Sequence, residues 1–435
     1  MKFSIYLLVL VSLAGLWSCN TPEEEIPLNV LEQEDEPQED EVAEEDLLAS
    51  ITYDGTTKVW VVIFHPETNA LVAWERLLPG RTVNVVRPQG FAEDRFHLAY
   101  VYWTDAITLF RSNILYYEDY EPFSTTIIQA SSPPFVDYSG PRASIPDVTT
   151  NEMNNYSYLL CTDKFQKSSG RNREGQLDFG FGWRNNDGGD FLCLRYGKQT
   201  QEFAYQWIPN QGNDSPLIIS NEGWISATAE TIQLPEGSSE LWVSYFKGVS
   251  DQGSYHLPVY QPSDQELVYP EIEEFTEGYG FRFFYSLLEN GYSLRHQLQQ
   301  EAAPIENTLA AYDATISPEA LDISNGTQTS LVSGEVDYVR VAYEWGDDSS
   351  ITLSSRFEGY LNPNKPVSFP DLAWPDEIRN EVETLRLFRD ATTFEVTLYD
   401  QAGADGWEDI KKSRYSDTVI DTEEPTRSKT YTIDR

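Results

Sequence analysis

The amino-acid sequence predicts an all-β fold: tandem antiparallel β-sandwich modules, Ig-like or transthyretin-like, with little helix. Three observations carry this expectation. Beyond residue 50 the chain consists of short apolar runs rich in Val, Tyr, Phe and Trp, separated by turn residues every 8 to 12 positions or so, the spacing of sandwich strands. Apolar residues make up 40% of the 435 and aromatics 13%, with 26 Tyr and 11 Trp, far more than a disordered chain carries. Helical periodicity is confined to WPDEIRNEVETLRLF, where Pro375 opens an acidic first turn and Ile378, Val382 and Leu385 fall on one stripe, predicting a short helix near 375–388.

At the start, Met1 and Lys2 precede FSIYLLVLVSLAGLW, an apolar core of signal-peptide length that is too short for a confident membrane span. It ends in Leu16-Trp17-Ser18-Cys19, one of only three cysteines in the chain. This stretch resembles the lipobox of bacterial lipoproteins, with an aliphatic residue three before the cysteine and a small one next to it; Trp17 departs from the small residue usual between them. The resemblance implies that residues 1–18 are a signal peptide, that the Cys19 thiol takes a diacylglyceryl group, and that cleavage and acylation follow at its amine. Several acyl chains on one residue make a stable anchor where a single chain does not, so the implied partner is the outer membrane, held without a span.

Residues 19–46 form the next element. Between Asn20 and Leu47 there are 13 Asp or Glu, no Lys or Arg, and three prolines (Pro22, Pro27, Pro37), which predicts an extended acidic tether. The stretch NTPEEE is similar to the surface-export signal of Bacteroidota lipoproteins, implying display on the extracellular side; as a plain charged spacer it leaves the protein facing the periplasm. The whole chain carries −41; without Lys2 that is −42, and setting aside the tether's 13 acids leaves −29 on the remainder. No basic cluster appears, which argues against nucleic acid as a partner.

Proline-dense stretches suggest boundaries. SSPPFVDYSGPRASIPD (131–147) holds four prolines and HLPVYQPSDQELVYPEIEE (256–274) three, predicting linkers and hence modules over 47–146, 147–265 and 266–435. Three hairpins are expected. Asp54-Gly55 sits between strand-like pieces of YDGTTKVWVVIF, and Asn290-Gly291 centres FRFFYSLLENGYSLRHQL. Pairing across the second puts Phe283, Tyr285 and Leu287 on one face with Leu294, His296 and Leu298. In the third, QLDFGFGW and FLCLRYG flank RNNDGGD, and Leu177, Phe179, Phe181 and Trp183 share a face. Cys161 and Cys193 lie in apolar strand-like runs, where one disulfide and two buried thiols are both open.

Catalytic motifs are missing. His65, His97, His256 and His296 have no metal-ligand spacing, and the chain lacks HExxH, CxxC, P-loop and GxSxG patterns. His296, opposite Tyr285, reads as a packed strand residue. Carboxylates cluster in YEWGDDSS (Glu344, Asp347, Asp348) and YDQAGADGWED; in the latter Asp400, Asp405, Glu408 and Asp409 are the candidate calcium ligands, because calcium takes several loop oxygens. No other cofactor is implied. Trp60 and Trp242 lie inside dense apolar strands and are expected in the core. Trp183 beside Arg184 and Asn185, together with Trp345 and Trp407, falls at hairpin ends or loops, the placement of aromatic platforms that stack on sugars.

The combined expectation is a lipid-anchored outer-membrane protein, facing the extracellular side, that binds extracellular glycan or protein without catalysis. In architecture it resembles the glycan-binding surface lipoproteins of polysaccharide uptake systems. One alternative is an adhesin or fimbrial-type structural subunit, for which the C-terminal SKTYTIDR is a candidate exchangeable strand. Another is a carboxylate-dependent glycoside hydrolase.

Overall fold

Residues 46–434 are described by a computed structural model, except for 56, 104–109, 129–142, 163–165, 169–171, 174, 180–188, 211–216, 252, 264, 290–291, 306–309, 318–330, 346–353, 368–371, 382–390, 392, 402 and 416–425. In chain order the elements are β1 (Leu47–Asp54), β2 (Lys58–Phe64), β3 (Leu71–Leu77), β4 (Arg81–Val86), β5 (Phe96–Trp103), β6 (Phe110–Tyr120), β7 (Phe123–Ile128), β8 (Ala143–Ile145), α1 (Thr150–Asn155), β9 (Tyr156–Cys161), β10 (Gln166–Ser168), β11 (Asn172–Arg173) and β12 (Gln176–Asp178). There follow β13 (Phe191–Gly197), β14 (Phe203–Ile208), β15 (Leu217–Ile218), β16 (Ile225–Gln233), β17 (Ser239–Ser250), β18 (Gly253–His256), β19 (Tyr260–Ser263), β20 (Glu266–Glu271), β21 (Gly278–Glu289) and β22 (Tyr292–Ala303). The last are β23 (Tyr338–Trp345), β24 (Ser354–Leu361), α2 (Asp376–Glu381), β25 (Thr393–Asp400), α3 (Trp407–Tyr415) and β26 (Thr426–Asp434). The chain is all-β, its sheets packed face to face as sandwiches with little helix.

A 12-stranded sheet organises the described residues, in the order β18-β17-β21-β22-β26-β25-β23-β24-β6-β5-β2-β3. Side chains alternate across each strand, so each half of this sheet offers two faces to cover. At one end the three-stranded sheet β4-β1-β7 covers one face, where Ile51 and Tyr53 of β1 meet Val59, Val61 and Ile63 of β2 and Leu98 and Tyr100 of β5. Trp60, Val62 and Phe64 point the other way, into a core closed by Tyr312, Ile316, Trp374 and Ile378. Burial on both faces is the reason KVWVVIF carries no polar alternation. At the other end the seven-stranded sheet β10-β9-β13-β14-β16-β20-β19 packs on β17, β21 and β22 through Leu194, Tyr205, Phe246, Phe283 and Tyr285. Its outer face is covered in turn by the small sheet β11-β12-β8-β15 through Ile145, Leu160, Leu177 and Phe191.

The Asn290-Gly291 hairpin has the expected register. Glu289 pairs with Tyr292, Leu287 with Leu294, Tyr285 with His296 and Phe283 with Leu298. His296 is buried, its ring stacked 5.2 Å from Tyr285. The other two hairpins do not form. β1 and β2 flank Asp54-Gly55 but belong to facing sheets, and the Tyr53 hydroxyl donates to the Thr57 carbonyl (2.8 Å) across the corner. Crossing between layers buries the apolar faces of both strands against each other, which side-by-side pairing would not do. Likewise β12 pairs with β8 and β11, whereas β13 pairs with β9 and β14, so Leu177 and Phe179 meet Phe191 across the sandwich rather than along a ladder.

The proline-dense stretch at 256–274 is no linker. It supplies β19 and β20, with Pro262 on the outermost strand of its sheet, where a missing N–H costs little, and Leu267, Tyr269 and Ile272 in the core. Hydrogen bonding also runs across the bounds at 146/147 and 265/266: β24 pairs with β6 in parallel, and β17 pairs with β21. The C-terminal β26 lies inside the sheet, bonded to β22 on one side and β25 on the other. α2 begins at Asp376 with Ile378 buried, and residues 382–388 of the expected helix lie outside the described residues. Two helices were not expected. α1 is opened by a capping box between Thr149 and Glu152, and α3 follows Gly406.

Candidate functional site

Several sequence-derived site residues lie where they cannot serve as proposed, or outside the described residues. Cys19, Trp183, Arg184 and Asn185 are outside. Trp345 ends β23 opposite Ser355, and its side chain is not described. Trp407 is the first residue of α3 and is only 4% exposed, packed among the Leu98, Tyr100 and Tyr117 core, so it offers no ring face to a ligand. A helix start, not a loop, occupies that stretch.

Three of the four calcium candidates have carboxylates engaged with other groups. Asp400 accepts from the Arg427 guanidinium, Glu408 pairs with Lys411 (2.9 Å) and Arg95 (3.8 Å), and Asp409 accepts from the Asp405 backbone N–H (3.0 Å) at the start of α3. Among the described residues no group of three or more His, Cys, Asp and Glu side chains is placed to hold a metal ion. Acids in a helix's first turn meet its positive end, which accounts for Glu408 and Asp409.

Cys161 and Cys193 are buried free thiols, not a disulfide. Cys161 stands opposite Leu192, not Cys193, so the two sulfurs point to opposite faces of the sheet: Cys161 into the core shared with the long sheet, Cys193 into the outer one. Burial pushes both thiol pKa values up, leaving them protonated.

The surface best formed to hold a ligand lies on β17, β21 and β22. In SELWVSYFKGVS, Leu241 and Val243 turn toward the core and Trp242 turns away. It is 63% exposed, against the expectation that it is a core residue. Opposite it in register stands Phe284, the two rings stacked at 5.2 Å and 22°. Two residues along β21 the Arg282 guanidinium lies over the Phe284 ring at 5.3 Å. On β22, Gln297 faces Phe284 and exposed Arg295 lies one pair further along the same face.

Gly280 shapes the next row. A Cβ there would come within 2.6 Å of Lys247 Cε and 3.3 Å of the Gln300 carbonyl, so the bare position lets Lys247 cross β21. Its Nζ reaches Glu301 at 2.6 Å, and the Tyr245 hydroxyl donates to the other carboxylate oxygen. Burial first and then this carboxylate push the Tyr245 phenol far up, so it remains a donor. His256, in register with Lys247, is held below the usual imidazole value by burial and by the Lys247 charge.

Beside this face β17 has an open edge. β18 pairs only with Lys247–Ser250, and Leu257 N–H donates to the Phe246 carbonyl (2.8 Å); nearer its start β17 has no strand on that side among the described residues. A groove of about 440 Å³ follows this edge, lined by Ser157, Leu159, Val243, Tyr245, Leu257 and Val259. Exposed stacked rings beside guanidinium and amide groups suit the apolar face and hydroxyls of a sugar, or the aromatic and polar anchors of a protein partner. Sequence reasoning missed Trp242, although Glu240 and Ser244, its neighbours on an alternating strand, marked its side as polar.

A second polar constellation sits at a bulge in β6. Register jumps from Phe96–Tyr120 to Leu98–Tyr117, so His97 faces both Glu118 and Asp119, and Asp119 adopts φ +56°. The Asp119 N–H donates to His97 Nδ1 (3.3 Å), and its carboxylate takes Lys365 Nζ (2.7 Å). Lys411 donates to the Asp119 carbonyl (3.2 Å) and Asn362 N–H to the Glu118 carboxylate (3.0 Å). Burial lowers His97 to about 4, with Asp119 opposing, and raises Glu118 to about 7. For Asp119 burial acts upward, but Lys365, aided by His97 and Asn362, outweighs it and the net shift is down. With these partners in place, the group ties β5, β6, α3 and the turn after β24 together.

No family model and no curated protein matches the chain. Two solved structures show a slight likeness. The fimbrial anchor protein Mfa2 from Porphyromonas gingivalis is 9% identical, over 57% of this chain and 76% of its own, with a TM-score of 0.11. The insect immune protein hemolin is 10% identical, over 81% and 94%, with a TM-score of 0.13. Scores this low give neither likeness weight in assigning function.

Proposed function

We propose that this chain is a lipid-anchored, surface-displayed protein that binds extracellular glycan or protein without catalysing a reaction, using the Trp242–Phe284 face as its contact surface. One observation carries the reading. A tryptophan 63% exposed and stacked on Phe284, whose ring carries the Arg282 guanidinium, gains from being covered by a ligand, since burying a large apolar side chain contributes about 1.5–3 kcal/mol. The lipobox at Cys19 and the acidic stretch behind it support the anchor and the outward orientation.

The test is binding of the full-length protein across a broad array of extracellular glycans, with and without calcium. Binding lost in Trp242→Ala at an unchanged melting temperature supports the reading; binding retained by that variant removes the face from it. The second reading, an adhesin or fimbrial-type subunit, is favoured by the open edge of β17, which can accept an extended strand. The C-terminal strand does not help it, because β26 is bonded on both sides. Silence on the array, with self-assembled chains that disappear in Ser244→Pro, would support that subunit role.

A further inference from the structure

We infer that the sugar this face takes is an anionic one: a pyranose bearing a carboxylate, as in a uronic-acid polysaccharide. The inference rests on the glycan-binding reading above and adds the ligand's charge. Its basis is the state of Arg282. The Nε of this residue is buried without a hydrogen-bond acceptor among the described residues, and Arg282 makes no ion pair among them. A buried guanidinium donor without an acceptor is costly. On a chain with 71 acids against 30 bases, Arg282 shares a buried Nε without an acceptor with Arg340 and Arg356, but those two pair with carboxylates, as Lys247 and Arg427 do, and Arg282 has no such pair among the described residues.

The layout places that cation beside the rings. Arg282 and Phe284 are alternate residues on one face of β21, about 6.6 Å apart along a strand, and Arg295 lies diagonally beyond Phe284 on β22. A pyranose stacked on Trp242 and Phe284 would therefore set its ring substituents between two guanidiniums. Arginine's planar fork matches a carboxylate in a bidentate manner, which a neutral hydroxymethyl group does not reproduce. Nearby acids are already turned aside: Glu301 is held by Lys247 and Tyr245, and Glu240 accepts from the Ser286 hydroxyl (3.1 Å). The protein's overall negative charge opposes approach of an anion at long range. Selectivity must then come from the short-range arginine contacts, so binding strengthens as moderate salt screens the repulsion, until the contacts themselves are screened.

The experiment is calorimetric titration of the full-length protein with oligomers of galacturonate, glucuronate and mannuronate. Each acid is compared with its methyl ester, which keeps the ring and removes the charge. We expect at least one acid to bind about tenfold or more tighter than its ester, the scale of a charge-assisted bond. Arg282→Gln should remove that preference, bringing the acid's affinity to the level of its ester, and Arg295→Gln should reduce it. Arg282→Lys, which preserves charge and bulk, should retain part of it, separating lost recognition from lost folding. Equal binding of acid and ester, abolished in both by Trp242→Ala, would overturn the anionic assignment and leave the aromatic face standing. Absence of binding by any acid or ester, where neutral glycans bind through Trp242, would overturn it as well. Failure of every saccharide would overturn this inference together with the glycan half of the reading it rests on, leaving a protein as the partner of the face.

Discussion

His97 and Glu118 are expected to cancel each other's influence on stability as pH changes, and removing either should expose the other. In the folded chain His97 titrates at about 4, against 6.5 for an unperturbed imidazole, because burial disfavours its charge. Between those values the unfolded chain takes up a proton that the folded chain refuses, so stability falls as pH drops from 6.5 to 4. At 1.36 kcal/mol per pH unit this amounts to about 3 kcal/mol. Glu118 titrates at about 7 rather than 4.5, again chiefly through burial, with Asp119 adding and Asn362 and Lys365 opposing. Here the folded chain holds a proton that the unfolded chain releases, so stability falls as pH rises from 4.5 to 7. Partial exposure of Glu118 reduces this to about 2 kcal/mol.

The assay is urea unfolding from pH 4 to 7.5 for wild type, His97→Gln and Glu118→Gln, read as differences so that other carboxylates drop out. Wild type minus His97→Gln should be larger at pH 7 than at pH 4 by about 3 kcal/mol. Wild type minus Glu118→Gln should be larger at pH 4.5 than at pH 7 by about 2 kcal/mol. Flat differences for both variants would mean that the bulge does not shield these groups from water and that their titration is ordinary.

Other consequences are simpler to test. Cys161 and Cys193 should resist thiol reagents in the native state and react in denaturant, and reductant should leave the melting temperature unchanged, because no disulfide joins them. Gly280→Val should destabilise by about 1–3 kcal/mol through collision with Lys247 and the Gln300 carbonyl, and Lys247→Ala in the same chain should recover part of the loss. Truncation before Thr426 should abolish cooperative unfolding, since it withdraws an interior strand from the long sheet and leaves β22 and β25 without their shared partner. Trp242→Ala should change stability by less than about 1 kcal/mol, in contrast to a buried aromatic, where the cost is about 3–5 kcal/mol.

The β21–β22 hairpin was legible because two independent signals agreed: alternation on both arms and a two-residue Asn-Gly turn that fixes their register. Asp54-Gly55 carried only the turn. A short turn serves equally to fold strands side by side and to pass the chain between facing sheets, and the choice rests on which apolar faces meet, a tertiary matter. The same ambiguity hid the crossing between β12 and β13. Proline at 258, 262 and 270 signals a break, yet Pro262 sits on the outermost strand, where a missing N–H is harmless, and Pro270 pairs with Ala229 inside the sheet. The sequence does carry local signals for α1 and α3: the Thr149–Glu152 capping box, and Gly406 ahead of Trp407, Glu408 and Asp409. The candidate site was legible only in part. Trp242 looked like core because its neighbours are apolar, and only its alternation with Glu240 and Ser244 told otherwise, whereas the stacking of Phe284 and the crossing of Lys247 over Gly280 depend on pairing between distant strands.

Hydrogen exchange of the full-length protein, with and without the tightest ligand that an extracellular glycan and protein panel yields, tests the central claim most directly. Slowed exchange is expected over Ser239–Tyr245 and Arg282–Leu288, with no such change in Trp242→Ala. Slowing confined to other strands, or unaltered protection in the variant, would contradict it.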